Sequence, residues 1–444
     1  MHTAAAILST GDELVLGQTL DTNARLIAGR LVDLGIVPSE HVTVGDDLPT
    51  LVRVLRRLVD ASPLVIMTGG LGPTDGDLSR AALAELCGQP LVEDPDSVLA
   101  IRRRLESRGR EATARQLRQA QRPALAMCLP NAHGTAPGLF LRVPSTLGTT
   151  DVYALPGPPG ELGPMLERDV LPRLQPPGGR VVLTRLLHTI GLAEAEAADR
   201  LGGLTDRTRV PLVGITASGA VLTIRVRYEG PGPRETALEQ IATTERLIRD
   251  ALGPHVFGAD ADTLAGVVIA QAIAARCTIA TVESCTGGLL GAMLTETPGS
   301  SAAMVGGWVT YSNALKTSQV GVPPEDLRRH GAVSEPVARA MARGGLTASG
   351  AMLCVSITGT AGPDGGTPEK PVGTVWIGLA GSGTEIRARC FRFPGSREEV
   401  RLRAARTALG LLYFALKGIE PGVFLWQVQP VPPVPPMPAR PPRG

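Results

Sequence analysis

Two side chains could form a nucleophile and its base: Ser284 in the string ESCTGG (283–288) and Lys316 in YSNALK (311–316). A serine hydroxyl becomes nucleophilic only beside a base, and a lysine amine relieved of its proton is one known solution. The composition singles that lysine out. Lysine and arginine together number 44, yet only Lys316, Lys370 and Lys417 are lysines. Arginine can stand at nearly any solvated position but keeps its proton in a protein, whereas a desolvated lysine can give one up. Histidine, the usual base, is represented between 262 and 444 by His330 alone. It closes a short helix begun by PPED, next to Arg328 and Arg329, where it complements the helix dipole. Cys285 is the rival nucleophile. No histidine is placed to draw off its proton, and strand alternation sends 284 and 285 in opposite directions, so Ser284 is favoured.

The elements around these residues must hold them. CTIATV (277–282) reads as a strand that delivers Ser284 to a turn, and Gly287-Gly288 opens a helix. Helix N-termini carry unpaired N–H groups and partial positive charge, which suit an oxyanion hole or a phosphate cradle. Thr286, Gly287 and Gly288 are therefore candidate substrate-binding residues; a plain strand-to-helix turn capped by Ser and Thr is the alternative. The segment SITGTAGPDGGTPEKPVGTVW (356–376) reads as strand, polar loop and strand, and such loops usually bind something. Its candidates are Thr358, Gly359 and Lys370, the last set against a simple solvated loop charge. In FPGSREEVR (393–401) Ser396 caps a helix and Arg397 opposes the dipole in the first turn, which hints at a phosphate partner. No His, Cys or Asp between 262 and 416 clusters at ligand spacing, so no cofactor is expected here.

A chain of 444 residues exceeds one core and calls for two or three domains. Helical periodicity at 22–34 and 48–60 alternates with strands at 41–44 and 64–67, the second leading into the glycine-rich loop TGGLGPTDGD (68–77). The expected class is α/β: two three-layer α/β domains, 1–172 and 259–420, joined by a small α+β module at 173–258. Residues 421–444, rich in proline, read as a disordered tail without packing potential. Net charge is +2 and aromatics are 3%, which argues against nucleic-acid contact. No apolar run is long enough for a membrane span, and the N-terminus lacks a signal-peptide pattern. Six cysteines without a CxxC pair read as free thiols of a reducing compartment, so a cytoplasmic setting is expected.

The strings VESCTGG, VTYSNALK, HGAVSEPVA, SITGTAGPDGGTPEKPVGTVW and FPGSREEVR together resemble the CinA (competence/damage-inducible protein A) family over about 262–416, and this half is similar to nicotinamide-nucleotide amidase. The resemblance implies conversion of nicotinamide mononucleotide and water to nicotinate mononucleotide and ammonia, with Ser284 as nucleophile and Lys316 and Tyr311 assisting, in a homodimer that needs no nucleic acid or membrane. The first ~170 residues resemble a MoaB/MogA-like molybdopterin-binding domain through GDELVLGQTLDTNARLIA, TGGLGPTDGDLSR, HGTAPG and LPGPPGEL. That resemblance implies a ligand site using Asp12, Glu13, Thr68, Gly69, Gly70 and Asp77, with a divalent metal at Asp77 and activity on ADP-ribose. The family's two adjacent acids after GPT and one residue are here Gly76-Asp77, one carboxylate fewer. The competing expectation is a non-catalytic nucleotide- or pterin-binding scaffold.

Overall fold

The computed structural model describes residues 1–383 and 385–429. They gather into two compact units: Met1–Leu183 with Glu229–Leu238, and Thr184–Tyr228 with the chain from Glu239 on.

In the first unit a six-stranded sheet runs, edge to edge, Val37–Val44, Ala4–Thr10, Leu64–Thr68, Gly148–Leu155, Gly138–Ser145 and Met127–Leu129. The first four are parallel; the last two join antiparallel. The strand LVIMT is buried at every position, as an apolar run covered on both faces must be. Alternation then divides the residues between two layers. Leu8 and Met67 pack with Leu51, Leu55 and Leu58 of the helix Leu48–Ala61, while Ile7 and Ile66 pack with Ile27 and Leu31 of Thr22–Asp33. Each of these helices is opened by a carboxylate: Asp21 accepts from the Ala24 N–H at 2.9 Å and Asp47 from the Thr50 N–H at 3.0 Å.

A four-stranded sheet, whose residues from 184 to 228 and from 256 to 259 belong to the second unit, has the order Leu212–Ser218, Val221–Pro231, Arg180–Ile190 and Val256–Ala259. It is followed by a five-stranded sheet: Met304–Val309, Ile279–Glu283, Leu353–Gly359, Thr374–Gly381 and Arg387–Arg392. The first three strands are parallel and the last two antiparallel. Ile279, Val355 and Ile377 pack toward the helices Leu264–Ala274 and Arg397–Leu416; Ala280, Val282 and Cys354 pack toward Glu335–Ser349. Each large domain is thus three-layered, as expected. Among the described residues no helix is long and apolar enough to cross a membrane.

The tail expectation is corrected for residues 421–429. Phe424 is buried, the Arg392 N–H donates to Trp426 O at 3.0 Å, and the Val428 N–H donates to Cys390 O at 2.9 Å. Phe424, Leu425 and Trp426 supply apolar surface that the proline-rich composition of the longer segment concealed. Residues 430–444 of that tail lie outside the described residues.

Candidate active site

The strand Ile279–Glu283 is buried throughout, and its hydrogen bonding runs one residue further, with the Ser284 N–H donating to Ile357 O at 2.9 Å. The turn then closes as the Gly287 N–H donates to Ser284 O at 3.0 Å. Gly287 and Gly288 have φ of +62° and +92°, a region that side chains disfavour, which is why two glycines stand here.

Beyond the turn, the helix Leu289–Thr295 does not offer the free N-terminus expected from the sequence. The Glu283 carboxylate, 1% exposed, accepts from the Leu290 N–H at 3.0 Å and the Gly291 N–H at 2.8 Å. The Glu283 carboxylate already satisfies these two donors of the first turn, so they are not free to hold a phosphate. Glu283 was missed from sequence; an acid directly before a turn that starts a helix was the available signal.

Lys316 reaches Ser284 from the other side. The edge strand Met304–Val309 leads into Thr310, whose N–H donates to Glu283 O at 2.8 Å. Ser312 then caps the helix Asn313–Val320 by accepting from the Leu315 N–H at 3.2 Å. Lys316, one turn in, is 1% exposed, and its Nζ donates to Ser284 Oγ at 3.0 Å and Thr310 O at 2.7 Å, with Tyr311 O at 3.5 Å. Every one of these partners is uncharged. Burial without a counter-ion penalises the ammonium and pulls this amine down to about 8. Cys285 lies in the apolar cluster under the sheet, where burial pushes its thiol up to about 12. A thiol held neutral in this way is a poor nucleophile.

Tyr311 and Arg397 meet at the surface: Tyr311 is 59% exposed, and its hydroxyl accepts from Arg397 at 2.9 Å. Arg397 also donates to Gly362 O at 2.6 Å, tying the polar loop to this rim. The Tyr311 backbone, not its hydroxyl, is what approaches the Lys316 amine. Arg401, one turn further along the helix and not singled out from sequence, donates to Thr286 O at 2.8 and 3.2 Å. The Thr286 hydroxyl is buried and has no hydrogen-bond partner. Three other candidates are used by the framework. Thr358 donates to Ala332 O at 2.8 Å, Lys370 Nζ to His330 O at 2.7 Å, and a Cβ at Gly359 would sit 2.7 Å from the Val375 side chain.

In the first unit, a cavity of about 570 Å³ is lined by Glu13, Thr68, Gly69, Gly70 and Asp77, with Asn23, Asp46 and Gln119 also facing it. Gly69 is required because a Cβ there would lie 2.4 Å from Thr10 O. Asp12 does not line the cavity; it accepts from the Asp46 N–H at 3.0 Å. Burial, then Asp12 and Glu13, push the Asp46 carboxyl above the usual range. The metal expected at Asp77 does not fit. One Asp77 oxygen accepts from the Gly72 N–H at 2.8 Å and the other from the Thr74 N–H and hydroxyl at 2.6 and 2.5 Å, so the carboxylate closes its own loop. Among the described residues no three His, Cys, Asp or Glu side chains gather to hold a metal ion.

Comparison with known proteins places this arrangement in context. Residues 6–176 match the model of a probable molybdopterin binding domain, 184–258 that of the damage-inducible protein CinA KH domain, and 261–416 that of the CinA C-terminal domain. A CinA-like protein of Gemmatimonas aurantiaca is 40% identical over 412 residues, covering 91% of this chain and 95% of its own length. One from Myxococcus xanthus is 38% identical over 411 residues, with 91% and 96% covered. The crystal structure of competence/damage inducible protein CihA from Agrobacterium tumefaciens is 42% identical over 35% of this chain and 93% of its own, at a TM-score of 0.34. With identity of this level sustained across nearly the whole length of full-length relatives, the chain belongs to the CinA family.

Proposed function

We propose that the C-terminal domain is an amidohydrolase that converts nicotinamide mononucleotide and water to nicotinate mononucleotide and ammonia. The observation that carries this is the buried contact of Lys316 Nζ with Ser284 Oγ at 3.0 Å, the amine having only neutral partners. In its neutral form Lys316 accepts the Ser284 proton as Oγ attacks the carboxamide carbon. The tetrahedral oxyanion develops beside a turn whose Thr286 hydroxyl is an unspent donor. Collapse breaks the C–N bond while the Lys316 ammonium returns the proton to the leaving nitrogen, releasing ammonia and an ester on Ser284. Water attacks that ester, Lys316 takes its proton and passes it back to Oγ, and the carboxylate product leaves. Arg397 and Tyr311 at the rim are suited to the nucleotide's anionic part. The test is ammonia release from nicotinamide mononucleotide by the purified full chain. No release, or full release by Ser284→Ala, overturns the assignment.

For the first unit, the use of both Asp77 oxygens within its own loop favours a ligand-binding cavity over metal-dependent hydrolysis. A pterin is the class that the description of the matching domain model suggests. Equilibrium dialysis with and without EDTA tests this: binding that requires a divalent ion refutes it.

A further inference from the structure

Pro421–Gln429 lies beyond the residues that the C-terminal family model covers, yet it is locked in place. Phe424 fills a slot made by two glycines: a Cβ on Gly191 would come 3.2 Å from its ring, and one on Gly410 3.1 Å. It meets Phe414 edge-on at 5.6 Å and Phe391 at 6.5 Å. The Leu425 N–H donates to Gly191 O at 2.9 Å and the Arg392 N–H to Trp426 O at 3.0 Å, so the strap is pinned on two sides.

Trp426 is the residue that this pinning serves. Its φ is +64°, a conformation bulky side chains rarely adopt and one that persists only where the surroundings over-determine it. The ring contacts Phe393 edge-on at 5.8 Å and takes the Arg403 guanidinium on its face at 5.3 Å. Held there, Arg403 donates to Pro394 O and to Glu399 at 2.9 Å. Glu399 accepts from the Ser396 N–H at 2.8 Å, and Ser396 Oγ accepts in return from the Glu399 N–H at 3.4 Å. That reciprocal cap starts the helix at Arg397, whose guanidinium binds Tyr311 and the Gly362 carbonyl. The contacts are continuous from the strap to the rim of the Ser284–Lys316 site.

We propose that Trp426 is a positioning residue for substrate binding, acting through Arg403 and the Ser396–Glu399 cap to fix Arg397; this rests on the amidase assignment above. The strap does not touch Ser284 or Lys316, so its loss acts on binding and leaves the chemical step alone.

The discriminating variant is Trp426→Gly, because glycine accepts the positive φ and keeps the strap's backbone while removing the ring. KM for nicotinamide mononucleotide should rise about tenfold, a typical size for coupling through a contact network, with kcat held within a few-fold. The pH–rate limb set by Lys316 should not move. In an Arg397→Ala background the same substitution should add nothing to KM, since both act on one group. Arg403→Met, which leaves the strap's backbone hydrogen bonds intact, should reproduce the KM rise and guards against a folding defect in the glycine variant. Unchanged KM in either variant, a loss confined to kcat, or full multiplicativity with Arg397→Ala overturns the proposal. Each of these outcomes requires measurable wild-type ammonia release, so a failed strap is distinguishable from a failed amidase assignment.

Discussion

The loop after Leu64–Thr68 and the turn after Ile279–Glu283 are built alike. Each follows a buried parallel strand, each carries a Gly-Gly pair at positive φ, and each lies where open α/β sheets place ligands. They differ in which groups the framework consumes. In the first unit Thr68 donates to Pro156 O at 3.2 Å and accepts from Asn23 at 3.0 Å, while Asp77 binds three donors of its own loop. In the second, Glu283 takes the capping duty and leaves Ser284 one place further on, with its Oγ committed only to a buried amine. A glycine turn shapes a cavity in both cases. The second turn thus keeps a hydroxyl that the framework does not use beside an amine whose partners are all neutral, which is what the proposed amidase chemistry requires.

Deleting that nucleophile is the most severe test of the contrast. Ser284→Ala should lower kcat on the order of 10⁴-fold or more, the scale seen when a covalent nucleophile is removed. Cys285→Ala, one residue away, should keep activity within about tenfold, its cost being a small cavity in the apolar cluster. Rates from purified variants decide it: a silent cysteine variant beside an active serine variant would transfer the chemistry to the thiol.

Lys316→Arg comes next. If the residue supplies only positive charge, arginine should serve, as it does at nearly every other basic position of this chain. If it removes the Ser284 proton, arginine must fail, and a positioned base contributes ~10²–10⁴-fold. Wild-type kcat should also rise with pH through a limb near 8, where burial places the amine, because only the neutral form is a base. Arginine activity within a few-fold of wild type, or no such limb, would remove Lys316 from the mechanism.

Much of the site was legible because it rests on residue types with few substitutes. One of three lysines in an arginine-rich chain was read as a base and does lie within hydrogen-bond distance of Ser284, and two glycines after a strand pointed to a turn. The three-layer fold was legible for a related reason, since LVIM and CTIATV read as apolar strands alternating with helices, and the strands they enter are buried at every position. Less legible was everything decided by long-range pairing. Arg401 and Trp426 act on groups that only the folded chain brings near, and Trp426 was hidden further by the proline-rich composition around it. Thr358 near a strand's end and Lys370 in the glycine-rich loop show the converse: polar residues that the fold spends on the carbonyls of Ala332 and His330.

The contrast can also be sharpened in the first unit by supplying the acid it lacks. A Cβ at Gly76 would sit 3.2 Å from Asp46 Oδ2, and Gly76 is not among the glycines with positive φ. Gly76→Asp therefore sets a second carboxylate against Asp46, near Asp12 and Glu13. Without a divalent ion, like-charge repulsion should lower the thermal midpoint. Adding Mg²⁺ or Mn²⁺ should raise it again by several degrees, whereas the wild type should not respond. A wild-type midpoint that rises with either ion would show that the existing acids suffice.

The smallest effect concerns what the buried amine costs the fold. Lys316 falls from the ordinary 10.5 to about 8 in the folded chain because burial disfavours its charged form. Below pH 8 it is protonated both folded and unfolded, and the full penalty of burying the ammonium applies. Between about 8 and 10.5 the unfolded chain holds the proton while the folded chain has lost it, so the unfolded state binds more protons and stability rises with pH. Above that window both forms are neutral and the penalty is gone. Lys316→Met has no such group, and the hydrogen bonds it loses to Ser284 and Thr310 cost a nearly constant amount in the window. The wild-type midpoint minus that of Lys316→Met should therefore climb by a few degrees from pH 7.5 to 10, scaled by the usual size dependence of thermal unfolding. Measuring both midpoints at matched ionic strength isolates the titration of this one side chain. A difference that stays flat across the window would mean that the amine keeps its ordinary proton affinity when buried, and the base assigned to the second unit would then be no better equipped than a solvated lysine.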